Sequence, residues 1–255
     1  MRDLVPGQQG RLAAAAVRAR YAPLGPVPTV VKGPAGEVSA LSLPADARRT
    51  SAPDNEKPAS SLPDAAPAQP NGWQTIKSEG FEGAFPNAGW TLLDLSNDGC
   101  DFLWDDDDFK PHVGNYAAWP ANGGVNALDP AVSNYPPNMN SWMVYGPFSL
   151  ADATDADTLF SLWRQIEPSF DWVGFGVSAD GTTFNTVQWT GTTDWTEMQV
   201  NYQSYVDDPT IWVAWIFHSD ATVQLDGPWI DQIVIRRFNP PLRFWVPMVL
   251  RRAFQ

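Results

Sequence analysis

The sequence predicts an all-β protein, a two-sheet antiparallel jelly-roll sandwich preceded by a disordered N-terminal linker. Three observations carry this. From Trp73 onward, short runs of β-branched and aromatic residues recur between clusters of Gly, Asn and Asp, as strands between turns do. No repeat of fixed period links those runs, which disfavours a propeller or solenoid. The patterned region, residues 73–237, has the size usual for two packed sheets.

The densest strand signals are the last two. Residues 211–217 are β-branched, aromatic or Ala throughout, so this segment is expected to be a central strand buried on both faces. In residues 229–237 an apolar series is interrupted by Asp231, Gln232 and Arg236. A carboxylate at 231 is half buried and costly there unless something compensates it, and this makes Asp231 the leading functional candidate.

Taken in order, residues 1–72 are rich in Ala, Pro, Ser and Gly and have too few large apolar residues to offset the entropy of ordering them. They are expected to be a disordered linker or pro-region. Strands are expected near 74–82, 90–95, 115–119, 141–145, 158–166, 172–178, 184–190, 196–202, 211–217 and 229–237. The Asp180-Gly181 pair supplies the positive-φ positions of a tight hairpin between the sixth and seventh of these. Residues 97–114 and 122–140 are too long for plain connectors and are candidates for a binding rim. Residues 238–255 form a basic amphiphilic tail, too short and too charged to span a membrane.

Charge narrows the partners. Residues 73–235 carry three basic and 23 acidic side chains, a net −20 within a chain of net −13. Such a body repels phosphate, so nucleic acid and anionic lipid are excluded as expected partners, while cations and basic proteins are favoured. The single cysteine, Cys100, rules out an internal disulfide framework and a cysteine zinc cluster. No run of about 18 apolar residues is present, so no membrane span is expected. Residues 12–17 are a poor signal-peptide core, and export is inferred rather than read.

Catalytic motifs are absent from the sequence. Two histidines 106 positions apart, His112 and His218, cannot form a His-Glu-x-x-His zinc site, and no Gly-x-Ser-x-Gly elbow occurs. Twelve of the thirteen tryptophans lie within residues 73–235. Most belong to core-like runs, but Trp104 and Trp119 flank the long 97–114 loop and are candidates for a ligand platform, because indole faces suit sugar rings. The run Asp105 to Asp108 reads as a solvated loop, since adjacent carboxylates point apart and repel. Asp94, Asn97, Asp98 and Asp101 around Gly99 are better spaced to wrap a cation, although an Asx-turn explains Asn97-Asp98-Gly99 without one.

Phe81-Glu82-Gly83, Pro86, Gly89-Trp90, Asn97-Asp98-Gly99 and Trp104 resemble the opening of MAM-like, cleaved-adhesin and choice-of-anchor jelly rolls. These β-sandwich modules occur in secreted bacterial adhesins and beside immune-inhibitor-A-type metallopeptidases. Ser141-Trp142-Met143-Val144 with Pro147, the Asp-Gly hairpin, and the closing segment from Gly227 to Ile235 resemble later parts of the same family, in the right order. Gln232 stands where the family usually has a second Asp, and Pro228 is inserted before Trp229. The resemblance implies a secreted or cell-surface, non-catalytic module that binds carbohydrate or protein and is stabilised by Ca2+. Glu82 and Asp231 are the expected metal pair, completed by Asp98 with Asp94 or Asn97. A glycoside hydrolase-like enzyme and a purely structural surface-assembly domain are the alternatives.

Overall fold

The strand that ends the patterned region organises the larger sheet. The computed structural model describes residues 27–44, 47, 72–96 and 99–240. In chain order its strands are β1 (Thr29–Lys32), β2 (Glu37–Ser42), β3 (Trp73–Glu79), β4 (Trp90–Asp94), β5 (Leu103–Asp107), β6 (Ala117–Gly123) and β7 (Asn140–Phe148). They continue with β8 (Asp155–Gln165), β9 (Trp172–Ser178), β10 (Thr183–Trp189), β11 (Thr192–Asn201), β12 (Ile211–His218) and β13 (Gly227–Phe238). A seven-stranded sheet runs β1-β11-β8-β13-β6-β5, with β3 also paired to β13, and a six-stranded sheet runs β2-β10-β9-β12-β7-β4. Every pairing is antiparallel, so the expected two-sheet jelly-roll sandwich is the observed fold.

The core between the sheets comes from strand alternation. Phe160 and Leu162 of β8, Ile230 and Ile233 of β13, and Phe175, Trp215 and Phe217 of the smaller sheet all meet in it. Phe175 and Phe160 each pack edge-on against the fully buried Trp215. The strand β12 is central, as expected, and apolar on both faces: Ala214 and Ile216 join Trp142, Trp172 and Phe184 in a second cluster on the outer side of the six-stranded sheet. The Asp-Gly hairpin also forms, with Gly181 at φ 69° and β9 paired to β10. Asp180 Oδ1 accepts the N–H groups of Thr182 and Thr183. Partial burial pushes this carboxyl up, but those hydrogen bonds outweigh it and hold the group at about 2.

Two expectations about element placement are corrected. Part of the region read as linker is structured: β1 and β2 form an arm that pairs with β11 on one sheet and β10 on the other. Its side chains are mostly exposed, with only Ala40 buried among the six of β2, so main-chain pairing orders it and hydrophobic content underestimates it. The rest of residues 1–72 read as linker, together with 241–255 of the tail, lies outside the described residues. The acidic run is not a loop either, because β5 carries Asp105 to Asp107 against Trp119, Ala118 and Ala117 of β6, and Asp105 is buried.

Candidate functional site

The compensation that Asp231 requires is built from backbone. Pairing of β13 with β8 shifts register between Asp231 and Val234, and Gln232 there takes φ 52°. On the other side β13 pairs with β6 at Ile230 and with β3 only from Ile233, so Asp231 sits at a bulge in the ladder. Its fully buried carboxylate accepts N–H from His112 (3.0 Å) and Val113 (2.9 Å) at Oδ2 and from Gln232 (2.6 Å) at Oδ1. Burial raises this carboxyl to about 6; the three hydrogen bonds pull against that, and the charge of Glu82 adds to it.

Glu82 grips the same segment further along. Its Oε1 accepts N–H from Asn115 (2.7 Å) and Tyr116 (3.0 Å), and its Oε2 accepts the Asn115 side-chain amide (3.1 Å). Residues 109–116 thus form a strap across the face of the seven-stranded sheet opposite Phe160 and Leu162. Lys110 lies 3.7 Å above the Trp163 ring and 2.7 Å from Asp226, while His112 stacks on Trp195 at 4.9 Å.

The expected ligand set is brought together only in part. Glu82 and Asp231 share the strap, and their Coulombic interaction places them in one electrostatic neighbourhood. Asp94 is not with them: it lies on β4 of the other sheet and accepts N–H from Ser96 (2.8 Å) and Phe102 (2.7 Å), closing its own loop. Asn97 and Asp98 lie outside the described residues. Asn115 was missed in the sequence because it falls at a loop-to-strand boundary. Its side-chain amide donates to Glu82 Oε2 and so supports that carboxylate, while the oxygens of Glu82 and Asp231 are of the hard kind that suits calcium.

Trp104 and Trp119 are corrected as ligand platforms, because both are wholly buried. Trp104 Nε1 donates to the Ser141 carbonyl (3.1 Å) and Trp119 Nε1 to the Asp226 carbonyl (2.8 Å), so each is a core residue with its one polar atom satisfied.

A concave feature lies elsewhere among the described residues, on the outer side of the six-stranded sheet. A cleft of about 370 Å³ is floored by Trp142 and Trp172 and bounded by Asn140, Gln188 and His218, with Glu37, Ser39 and Leu41 supplied by β2. Trp172 and His218 stack face to face at 5.4 Å, and Trp142 Nε1 donates to Asn140 Oδ1 (2.8 Å). Gln188 Nε2 donates to Ser39 Oγ (2.6 Å), tying the arm to the floor. Nothing in sequence order predicts this grouping, whose members come from five strands of one sheet.

A second carboxylate group also escaped the sequence. Ligand atoms of Glu167, Asp171 and Asp220 lie within 4.8 Å of one another. Tyr135 Oη donates to Asp171 (2.5 Å), and the Asp220 N–H donates to the other oxygen (2.7 Å). Burial raises Asp171 to about 7 despite these bonds, with smaller contributions from the charges of Asp220 and Glu167. The same burial, with Asp171 beside it, drives the Tyr135 phenol upward.

No protein-family profile matches the chain, and no curated protein matches it. Among solved structures it is similar to the K1 and K3 cleaved adhesin domains of Lys-gingipain from Porphyromonas gingivalis W83. Both are 16% identical, with TM-scores of 0.42 and 0.44, covering 62% and 64% of this chain and 96% and 99% of those. It is also similar to the C-terminal family 22 carbohydrate-binding module of Clostridium thermocellum Xyn10B, at 12% identity and TM-score 0.39, covering 69% of this chain and 99% of that one.

Proposed function

We propose that this domain is a non-catalytic recognition module of the cleaved-adhesin kind, acting outside the cell, and that its cleft binds a neutral or basic glycan. The observation that carries the reading is the chemistry of the cleft. Trp142 and Trp172, 2% and 7% exposed, present only their rims as an apolar floor beside Leu41, while the amides of Asn140 and Gln188, the Ser39 hydroxyl and the Glu37 carboxylate line the cleft as partners for sugar hydroxyls. The net −20 of residues 73–235 disfavours sulfated or uronic-acid ligands. The direct test is a glycan array beside a peptide and matrix-protein array, followed by Trp172→Leu and Gln188→Ala. Loss of retention in both, with melting preserved, supports the cleft; retention unchanged in both removes it as the site.

Calcium is the stabiliser in this reading, held by the carboxylates of Glu82 and Asp231. Supporting it are two buried acids that share one strap and whose hydrogen-bond donors there are backbone N–H groups and one amide. A ligand that binds only the folded chain raises its melting midpoint. Equal midpoints in millimolar calcium and in chelator, or a shift that survives Asp231→Asn, would exclude this site.

The enzymatic alternative draws its observation from Glu167, Asp171 and Asp220, since close carboxylates with one raised pKa are what glycoside hydrolysis uses. Asp171 is wholly buried and committed to Tyr135 and the Asp220 amide, which suits a structural group better than one that meets a sugar. Glycan turnover lost in Asp220→Asn would establish the enzyme instead.

A further inference from the structure

The arm formed by β1 and β2 is joined to the sandwich unlike any other element. Thirty residues, 43–72, separate Ser42 from Trp73. Fully extended, they span about 100 Å, several times the width of a domain this size. The arm makes one crossing from sheet to sheet at Gly33 to Gly36, following the turn that takes β10 into β11. On one side Glu37 to Ser42 pair residue for residue with Gln188 to Thr183, and on the other Thr29 to Lys32 pair with Asn201 to Gln199. β1 and β2 are the edge strands of the two sheets, next to β11 and β10, so an arm that lifts away uncovers two new edges at once.

What holds the arm is main-chain pairing and a few side-chain contacts at its margin. Ser39 Oγ lies 2.7 Å from Thr186 Oγ1, Trp189 Nε1 donates to the Pro34 carbonyl (2.8 Å), and Lys32 forms an ion pair with Glu197 in which both side chains are more than half exposed. Among the described arm residues, few large side chains enter the main core: Val30 packs only partly against it, and Val31 and Val38 are 59% and 52% exposed. An element with this contact profile opens locally at a cost well below that of global unfolding.

We propose that the arm is exchanged between copies of this chain, so that β1 and β2 of one copy pair with β11 and β10 of another. The occupant of the uncovered edges is a second copy because it alone carries the matched register and the corner residues. A backbone edge accepts any strand, but Gly36 makes the passage specific: a Cβ there would lie 2.6 Å from the Gln188 carbonyl oxygen. Reciprocal exchange preserves every contact and costs only the entropy of association, which high local density on a surface offsets. It also makes the cleft a composite, since Glu37, Ser39 and Leu41 then come from the neighbour.

The test uses the full chain without substitution. Uniformly ¹⁵N-labelled and unlabelled protein are incubated together at high concentration, diluted, and treated with a carbodiimide that joins Lys32 to Glu197 across their ion pair. Linked peptides are then sorted by mass into same-label and mixed-label species. Exchange gives mixed-label Lys32–Glu197 peptides that increase with incubation concentration, while the Lys110–Asp226 link, 2.7 Å apart and remote from the arm, stays same-label. Mixed labelling absent from the first link, or equal in both, overturns the proposal. If Lys32 does not couple at all, Ser39→Cys and Thr186→Cys on separate chains, both with Cys100→Ser, replace it; no disulfide between them is the overturning result. Neither readout involves a glycan, so failure here leaves the cleft reading untouched.

Discussion

Asp231 and Glu82 hold successive parts of one strap: the first accepts the N–H groups of His112 and Val113, the second those of Asn115 and Tyr116. The two carboxylates therefore do for this loop what a strand partner does for a ladder. Each buried amide left without an acceptor costs roughly 1–3 kcal/mol. Asp231→Ala strips three of them, that of Gln232 included, and is expected to destabilise the fold by about 3 kcal/mol or more. Hydrogen exchange should speed up at residues 112 and 113 before it does at 115 and 116. Asp231→Asn keeps one acceptor oxygen and should lose less; denaturant melts of the three proteins rank them.

The acid group around Asp171 gives the stability a definite slope with pH. Its carboxyl titrates at about 7 in the folded chain and near 4 when unfolded. Between those values the folded state binds more protons, so stability falls as pH rises from 4 to 7 and levels off above. The slope is on the order of 1 kcal/mol per pH unit. Asp171→Asn, measured in chelator by urea unfolding, should flatten the profile between pH 6 and 7 and leave below 6 the share due to Asp231, whose carboxyl burial raises to about 6. At lower pH Asp180 acts in the opposite sense: its stabilisation, present above its unfolded value, is lost as pH drops toward 2.

Trp104 and Trp119 are load in the interior, not contact surface. Replacing either by Ala opens a cavity and should cost about 3–5 kcal/mol, visible as a lowered unfolding midpoint. Any loss of ligand binding in these variants should disappear when the comparison is made well below that midpoint.

Gly36→Val places side-chain carbons against the Gln188 carbonyl and Val187. The expected outcome is an arm displaced from β10 with the sandwich standing. Amide protection should fall along residues 183–188, near-ultraviolet dichroism should report the freed Trp189 indole, and global melting should move little. Cooperative unfolding at a much lower temperature would instead make the arm part of the main core.

The sandwich itself was legible because its strands announce themselves by side chain. Residues 211–217 are apolar on every position, and β12 is indeed flanked on both sides and both faces. Asp180-Gly181 names its own turn. The arm was illegible for the complementary reason: its strands are held by backbone atoms, which every residue has, and its surroundings of Pro and Ala mask the Val content. Asp231 could be singled out because a carboxylate in an apolar run is anomalous, whereas its partners could not, since a backbone N–H donor leaves no mark on the identity of His112 or Val113. Asp94 looked equally suited to a cation, but its oxygens turn toward Ser96 and Phe102 a few positions away. The cleft is assembled from five strands of one sheet, and the acid cluster joins Asp220 to Asp171, 49 positions earlier, and its neighbour Glu167.

The position of β13 has a consequence for how the chain comes off the ribosome. It is the final described strand, yet it lies in the middle of the larger sheet, joined to β8 along one side and to β3 and β6 along the other. Until it emerges, β3, the β5–β6 pair and the β1–β11–β8 group have no common partner. A nascent polypeptide halted before Gly227 would hold three fragments of a sheet with open edges, and such edges invite aggregation. The larger sheet therefore closes late and in one step, so that intact synthesis through Phe238 is itself a condition of assembly, and prematurely terminated products should be removed as misfolded rather than persist as shorter domains.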